Sequence, residues 1–142
     1  MTKSQRISQR SDRSKIIKKI DKVVSYIIRT RDKWTCQRCL TKYEPPTQGL
    51  HCSHYFSRRF MGTRFDLENL ISLCYGCHRL WEGDKQGAYK DLMIKRLGEN
   101  EYNVLEFKAR NVTKFSNSEL EILLKSLKEQ WHELSLPVAP VS

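Results

Sequence analysis

The stretch that decides the fold runs from Leu50 to Gly83 and reads LHCSHYFSRRFMGTRFDLENLISLCYGCHRLWEG. Two short apolar runs, 50–56 and 70–73, have the composition of strands and are separated by a loop rich in arginine. Cys74 then opens a knuckle that enters a helix, for which Gly83 is the predicted end. The order predicts a strand, a loop, a second strand and a helix.

Four cysteines form two pairs around this stretch. Cys36 and Cys39 are separated by two residues, and Cys74 and Cys77 repeat that spacing after an interval of thirty-four residues. Two such pairs are the usual way to present four thiolates to one tetrahedral zinc ion. Because the cysteine count is odd and no secretion signal is recognisable, a disulfide framework is not expected. We expect one structural zinc, with Cys52 as a small buried residue.

Four polar residues within the same stretch have a spacing that can bring them to one point. Asn69 follows His54 by fifteen residues, and His78 follows Asn69 by nine. Glu82 lies four residues after His78, one helical turn later on the same face. A histidine at the end of one strand, an asparagine before the next and a histidine at a helix start would hold a divalent cation and a phosphate.

These residues resemble the HNH, or ββα-metal, endonucleases, in the subgroup that is stabilised by a four-cysteine zinc site. The WTCQRC and LCYGCH signatures carry the zinc resemblance, and HCSHYFSRR…TRFDLENLISLCYGCHRLW is similar to small phage recombination nucleases of the NinG, or Rap, type. The resemblance covers residues 34–83 and implies an α+β fold with a ββα-metal core. It also implies metal-dependent hydrolysis of DNA in recombination, branched-DNA processing or packaging.

The resemblance assigns a role to each polar residue. His54 matches the general base that removes a proton from the attacking water, and Asn69 matches the residue that holds this base in orientation. His78 matches a metal ligand on the helix. Glu82 stands where several relatives have a second histidine ligand, and a carboxylate there favours Mg²⁺ or Mn²⁺ as the catalytic cation.

One position departs from the family pattern. Relatives have an aspartate or histidine ligand immediately before the base, whereas this sequence has Ser53 there. His51 lies two residues earlier on the same strand face, because side chains alternate along a strand. Two interpretations remain open: His51 replaces the missing ligand, or it packs in the fold or contacts DNA.

The charge of the chain indicates a polyanionic partner, with DNA as the first choice. The 142 residues carry a net charge of +10, and residues 1–33 hold eleven basic and three acidic side chains. Within this segment, residues 1–11 are expected to be frayed. A helix with Asp12 as its N-cap is predicted to present an apolar face and a basic face.

Six basic residues are predicted to contact DNA phosphates, three on this helix and three in the loop between the strands. They are Lys18, Lys22, Arg29, Arg58, Arg59 and Arg64. The alternative interpretation is that these charges only keep the protein soluble.

The last part of the chain is predicted to be helical over 87–97, 101–110 and a final segment that starts at a capping box of Ser116 and Glu119. One face of the final helix is apolar, and Leu136-Pro137 is its predicted end. The shared face consists of Leu120, Leu123, Leu124, Leu127, Trp131 and Leu134. We expect this helix to be a docking surface for a second copy of the chain or for another phage protein.

Three segments are therefore expected: a basic helix at 1–33, a zinc-stapled nuclease core at 34–83 and a helical extension at 84–142. No run of residues approaches the ~20 apolar residues that span a bilayer, so a soluble protein of the bacterial or phage-infected cytoplasm is expected. Two other functional classes compete with the nuclease. One is a zinc-ribbon DNA-binding module without catalysis, and the other is a structural protein of a phage packaging or recombination complex.

Overall fold

A computed structural model of the chain describes residues 1–83 and 86–135. These residues form a helical α+β fold with a small two-stranded sheet. The elements are α1 (Lys3–Arg31), β1 (Leu50–His54), α2 (Met61–Arg64), a 3-10 turn (Leu67–Asn69), β2 (Leu70–Cys74), α3 (Tyr75–Trp81), α4 (Ala88–Leu97), α5 (Glu99–Arg110) and α6 (Asn117–Ser135). Within the described ranges, no helix is both long enough and apolar enough to cross a membrane.

The two strands pair antiparallel over their full length. Leu50 lies opposite Cys74, and His54 lies opposite Leu70. The first four residues of β2 are buried, as expected for a strand that is covered on both faces. Helix α3 follows β2 directly, so the predicted order of strand, strand and helix is confirmed. The first strand ends at His54, two residues earlier than predicted.

The chain divides into two compact units. Among the described residues, one unit consists of residues 1–27 together with those from Phe115 onward, and the other consists of residues 28–114. Helix α1 therefore contributes most of its length to the first unit and its last turn to the second. The sheet and the helices α2 to α5 all belong to the second unit.

The first helix begins at Lys3, so the prediction of a frayed segment before an N-cap at Asp12 is wrong. Thr2 and Gln5 form a reciprocal capping box at its start. The Gln5 N–H donates to Thr2 Oγ1 at 3.1 Å, and the Thr2 N–H donates to Gln5 Oε1 at 2.8 Å. The Thr-x-x-Gln pattern is visible in the sequence, and it explains the earlier start.

The segment between the strands, predicted as a loop, contains α2 and the 3-10 turn. Asp66 caps the turn by accepting from the Glu68 N–H at 3.0 Å, and it forms an ion pair with Lys108 of α5 at 3.2 Å. A Cβ on Gly62 would collide with the Lys108 carbonyl. Glycine at this position therefore allows α2 to pack directly on α5.

The core of the second unit is built around a group of aromatic rings. The rings of Tyr55 and Tyr89 meet edge to face at 4.9 Å, and Trp81 stacks on Tyr89 at 4.8 Å. The Tyr55 and Tyr102 hydroxyls form a hydrogen bond of 2.9 Å. These contacts join α3, α4 and α5 to the residue that follows β1.

Arg31 and Asp32, which the sequence did not single out, fasten the end of α1 to the start of β2. The buried Asp32 carboxylate accepts from the Ser72 N–H at 2.8 Å and pairs with Arg31 at 3.0 Å. Arg31 also donates to the carbonyls of Leu67 and Leu70, at 2.8 and 2.6 Å. These bonds hold both ends of the 3-10 turn that contains Asn69.

The later helices agree with the predicted ones apart from their ends. Helix α5 begins at Glu99, directly after Gly98, so the predicted three-residue separation from α4 is too long. Gly98 has a φ of +82°, a value that favours glycine at this corner.

Helix α6 begins as the capping box predicts, with the Glu119 N–H donating to Ser116 Oγ at 3.1 Å. Leu120, Leu124 and Leu127 are buried, but Trp131 and Leu134 are 38% and 47% exposed. The Trp131 ring still stacks on Tyr26 of α1, at 5.4 Å. The predicted end at Leu136-Pro137 lies outside the described residues.

Candidate functional site

The four paired cysteines converge, as the sequence predicted. Their sulfur atoms all lie within 4.8 Å of one another. The Cys39 and Cys74 sulfurs, one from each pair, are 3.9 Å apart. Two sulfurs around a tetrahedral ion with ~2.3 Å bonds stand about 3.8 Å apart. The cysteines are therefore positioned to bind a metal ion, and their spacing fits a structural zinc.

The backbone around each pair explains this convergence. Leu40 adopts a left-handed conformation with a φ of 63°, and its N–H donates to the Cys36 carbonyl at 2.9 Å. This turn brings the two sulfurs of the first pair to one side. In the second pair, Cys74 is the N-cap of α3, and its sulfur accepts from the Cys77 N–H at 3.5 Å.

Two thiols of the cluster have opposite pKa shifts. A hydrogen bond with Thr41 lowers the pKa of Cys39 to about 6, whereas burial raises the pKa of Cys77 to about 12. Arg38 donates to the Cys77 sulfur at 3.4 Å, which favours the thiolate, and its guanidinium lies over the Trp81 ring. Sequence reasoning missed Arg38, although its position between two predicted ligands was the available signal.

Two of the residues considered for the catalytic cation meet between β1 and α3. The Nδ1 atoms of His51 and His78 are 3.0 Å apart, and the two rings are nearly perpendicular, at 84°. Both side chains are half-buried. Two ring nitrogens at this distance share either a proton or a cation, because two lone pairs facing each other would repel.

Ser53 and Glu82 have different surroundings from this pair. The Ser53 side chain is buried, and its hydroxyl forms a 2.8 Å hydrogen bond with the Tyr89 hydroxyl. Glu82 is exposed and stands one residue beyond the end of α3. Among the residues that the structure describes, only the four cysteines form a group of three or more histidine, cysteine, aspartate or glutamate side chains that could hold a metal ion.

Asn69 is fully buried, and its side chain binds the segment that follows His54. Its Oδ1 accepts from the Phe56 N–H at 2.8 Å, and its Nδ2 donates to the carbonyls of Phe56 and Thr63 at 2.9 and 3.0 Å. Its own carbonyl accepts from the Tyr55 N–H at 3.0 Å. The two residues after the half-buried His54 are therefore held by Asn69.

We expect Asn69→Ala to lower the free energy of unfolding by roughly 3 kcal/mol, because three backbone groups lose their partner at a buried position. The control is Asn111→Ala, since Asn111 is exposed and its side chain donates to the Phe107 carbonyl. That change should cost less than about 0.5 kcal/mol. Denaturant unfolding of both variants measures the difference. Equal losses of unfolding free energy in the two variants would contradict the role of Asn69 in holding the residues after His54.

The six basic residues predicted to contact DNA have different environments. Four are exposed, namely Lys18, Lys22, Arg58 and Arg59. Arg29 is half-buried, donates to the Leu50 carbonyl at 3.3 Å and lies over the Trp34 ring. Arg64 is also half-buried and donates to the Arg58 carbonyl at 3.3 Å. Arg29 therefore contributes to the attachment of β1 as well as to the surface charge.

The similarity to the NinG type covers nearly the whole chain and not only residues 34–83. A family model described as Bacteriophage Lambda NinG protein matches residues 2–136. The matched range includes α1 and α6 as well as the cysteine cluster. No curated protein and no solved structure matches the chain. The match to the family model shows that the chain belongs to the family of the bacteriophage lambda NinG protein.

Proposed function

We propose that the chain is a metal-dependent DNA endonuclease of the HNH type that acts in phage recombination or branched-DNA processing. The observation that carries the proposal is the pair of His51 and His78, whose nitrogens lie 3.0 Å apart beside the strand that ends at His54. Two donors at right angles on an octahedral ion with ~2.1 Å bonds stand about 3.0 Å apart. His51 would thus supply the ligand that the buried Ser53 does not.

In this proposal His54 is the general base. An imidazole with a pKa near neutrality accepts a proton from the water that attacks phosphorus. Asn69 is a positioning residue, because it holds the backbone immediately after His54. His51 and His78 would hold a divalent cation, which would supply positive charge for the phosphate oxygens.

The donors in this proposal favour Mn²⁺ over Mg²⁺. Mg²⁺ prefers oxygen ligands and keeps several waters, whereas imidazole nitrogens suit first-row transition metals. The two ligands that the structure brings together are both imidazoles, whereas the exposed Glu82 lies beyond the end of α3. We therefore expect faster cleavage with Mn²⁺ than with Mg²⁺.

A cleavage assay tests the proposed function. Linear, nicked, flapped and four-way DNA substrates are incubated with the protein and Mg²⁺, Mn²⁺ or a chelator, and the zinc content is measured in each case. The proposal expects cleavage with added cation and none with chelator while zinc is retained. A protein that binds all four substrates and cuts none of them would be a DNA-binding module instead.

We expect His51→Ala and His78→Ala each to raise the Mn²⁺ concentration needed for half-maximal cleavage by at least about tenfold, because each removes one ligand. High Mn²⁺ should restore part of the rate. The control is His132→Ala, because His132 is an exposed residue of α6. Titration of the single-turnover rate with Mn²⁺ measures the shift. If His51→Ala needs the same Mn²⁺ concentration as the parent for half-maximal cleavage, His51 is not a ligand of the cation.

A further inference from the structure

One face of α1 carries arginines in its N-terminal half and apolar residues in its C-terminal half. Positions 6, 10, 13, 17, 20, 24 and 27 share this face, because they recur every three or four residues. The last four are apolar, and all but the first of them are buried: Ile17, Ile20, Val24 and Ile27. The first three are Arg6, Arg10 and Arg13. The same face thus packs along one half and carries guanidinium groups along the other.

The three arginines lie in a groove beside the start of α6, within the first compact unit. The Asn117 side chain donates to the Gln9 carbonyl at 3.3 Å, and Arg13 donates to the Phe115 carbonyl. These bonds place the first turn of α6 next to the middle of the arginine stretch. Arg6 and Arg10 are exposed, whereas Arg13 is half-buried.

The lining of this groove is suited to anions. Among the described residues that line it are three arginines and the polar Ser116, Asn117 and Ser118, and no carboxylate. A guanidinium presents a planar fork of donors that matches phosphate oxygens, and neutral hydroxyl and amide groups commonly add further phosphate contacts. Arg6 and Arg10 are one turn apart, about 6 Å along the helix axis.

The position of these arginines distinguishes a binding role from a solubility role. Charges that only keep a helix soluble lie on the face that points to solvent. The lysines in the middle of α1 lie on that face. They are Lys15, Lys18, Lys19 and Lys22, and all are exposed. The arginines instead continue the face that packs, and they line a groove with α6.

We infer that this arginine groove (Arg6, Arg10 and Arg13 with the first turn of α6) binds the phosphate backbone of DNA. The groove is distinct from the residues proposed for cleavage, and the inference rests on the proposed function for the choice of DNA over another polyanion. Neutralising phosphates releases counterions, so a site of this kind contributes affinity that falls with added salt and does not depend on DNA sequence.

The test measures binding separately from cleavage. The zinc-loaded full-length chain carries His54→Ala, and its affinity for a labelled duplex is measured over a series of salt concentrations. Adding Arg6→Gln with Arg10→Gln should weaken binding about tenfold and lower the salt slope by about 2, because each lost phosphate contact lowers it by about 1. The matched control is Lys125→Gln with Lys128→Gln, which removes the same charge from exposed positions of α6. This control should keep the parental slope.

Three outcomes overturn the inference. The first is an equal slope in the arginine and lysine double variants. The second is an equal fall of slope in Arg6→Lys with Arg10→Lys, which retains both charges and should therefore keep the parental slope. If circular dichroism shows that the glutamine variant loses helix, Arg6→Ala with Arg10→Ala replaces it, because alanine removes the same charges and has the highest helix propensity. The third is competition by polyglutamate as strong as that by DNA of equal charge. If the chain that retains His54 binds DNA through this groove but cuts none of the four substrates of the cleavage assay, the proposed nuclease is overturned and the groove still stands.

Discussion

Replacing His54 by alanine should lower the rate of cleavage of saturating DNA by about 10²- to 10⁴-fold, the range that a general base contributes. The variant lacks the proton acceptor but retains His51 and His78, so its affinity for Mn²⁺ and for DNA should stay close to that of the parent. Single-turnover cleavage at saturating Mn²⁺ measures the rate. Titration calorimetry with Mn²⁺ measures the affinity for the cation.

The order of the defects distinguishes the roles in this site. Asn69→Ala should lose less activity than His54→Ala, because the base is still present but is held less well, and the assay is run below the melting temperature of both variants. His78→Ala should respond to added Mn²⁺, whereas His54→Ala should not. If His54→Ala cuts DNA at the parental rate, the HNH assignment is wrong. The zinc-ribbon DNA-binding module then becomes the leading account.

Loss of one cysteine ligand should remove cooperative unfolding of the unit formed by residues 28–114. Metal binding supplies about 10–16 kcal/mol in small zinc domains, which is comparable to the whole stability of a domain. Cys36 and Cys77 are buried in the same core as Leu50 and Tyr89. We therefore expect about one zinc per chain in the parent, and no cooperative transition in Cys36→Ser or Cys77→Ser. Metal analysis and thermal unfolding monitored by circular dichroism measure the two quantities.

Cys52→Ser is the matched control for the cysteine variants. Cys52 lies outside the cluster, and it is half-buried, whereas the sequence predicted a buried residue. Burial raises the pKa of its thiol to about 12, so the group is protonated and poorly reactive at neutral pH. Cys52→Ser should keep the parental zinc content and a cooperative transition. A parent purified without chelator that contains no zinc would refute the structural zinc.

Several features of the fold could be predicted because their signals are local. A two-residue spacing constrains both sulfurs of a cysteine pair to one side of a turn, so Cys36 and Cys39 needed no knowledge of distant residues. The capping box of Ser116 is equally local, since the hydrogen bond joins residues three apart. The capping box of Thr2 is of the same kind, and it places the N-cap of α1 ten residues before the predicted one at Asp12.

The candidate site shows where such local reasoning ends. Strand alternation places His51 and Ser53 on the same face of β1, and the spacing alone gives no reason to separate them. In the structure His51 meets His78 of α3, whereas Ser53 meets Tyr89 of α4. Which of the two side chains faces α3 depends on how two later helices pack against β1. The contacts involved join residues that are 27 and 36 positions apart in the chain.

The sequence by itself thus determined the cysteine knuckles, the order of strand, strand and helix, and the apolar face of α1, since all of these are periodic or short-range patterns. Only the tertiary structure decided that Asn69 binds the segment after His54, that Asp32 holds β2, and that three arginines of α1 line a groove with α6. Each of these contacts joins residues far apart in the chain. The geometry of each contact follows from the packing of whole helices and strands, and the spacing of residues in the sequence does not predict that packing.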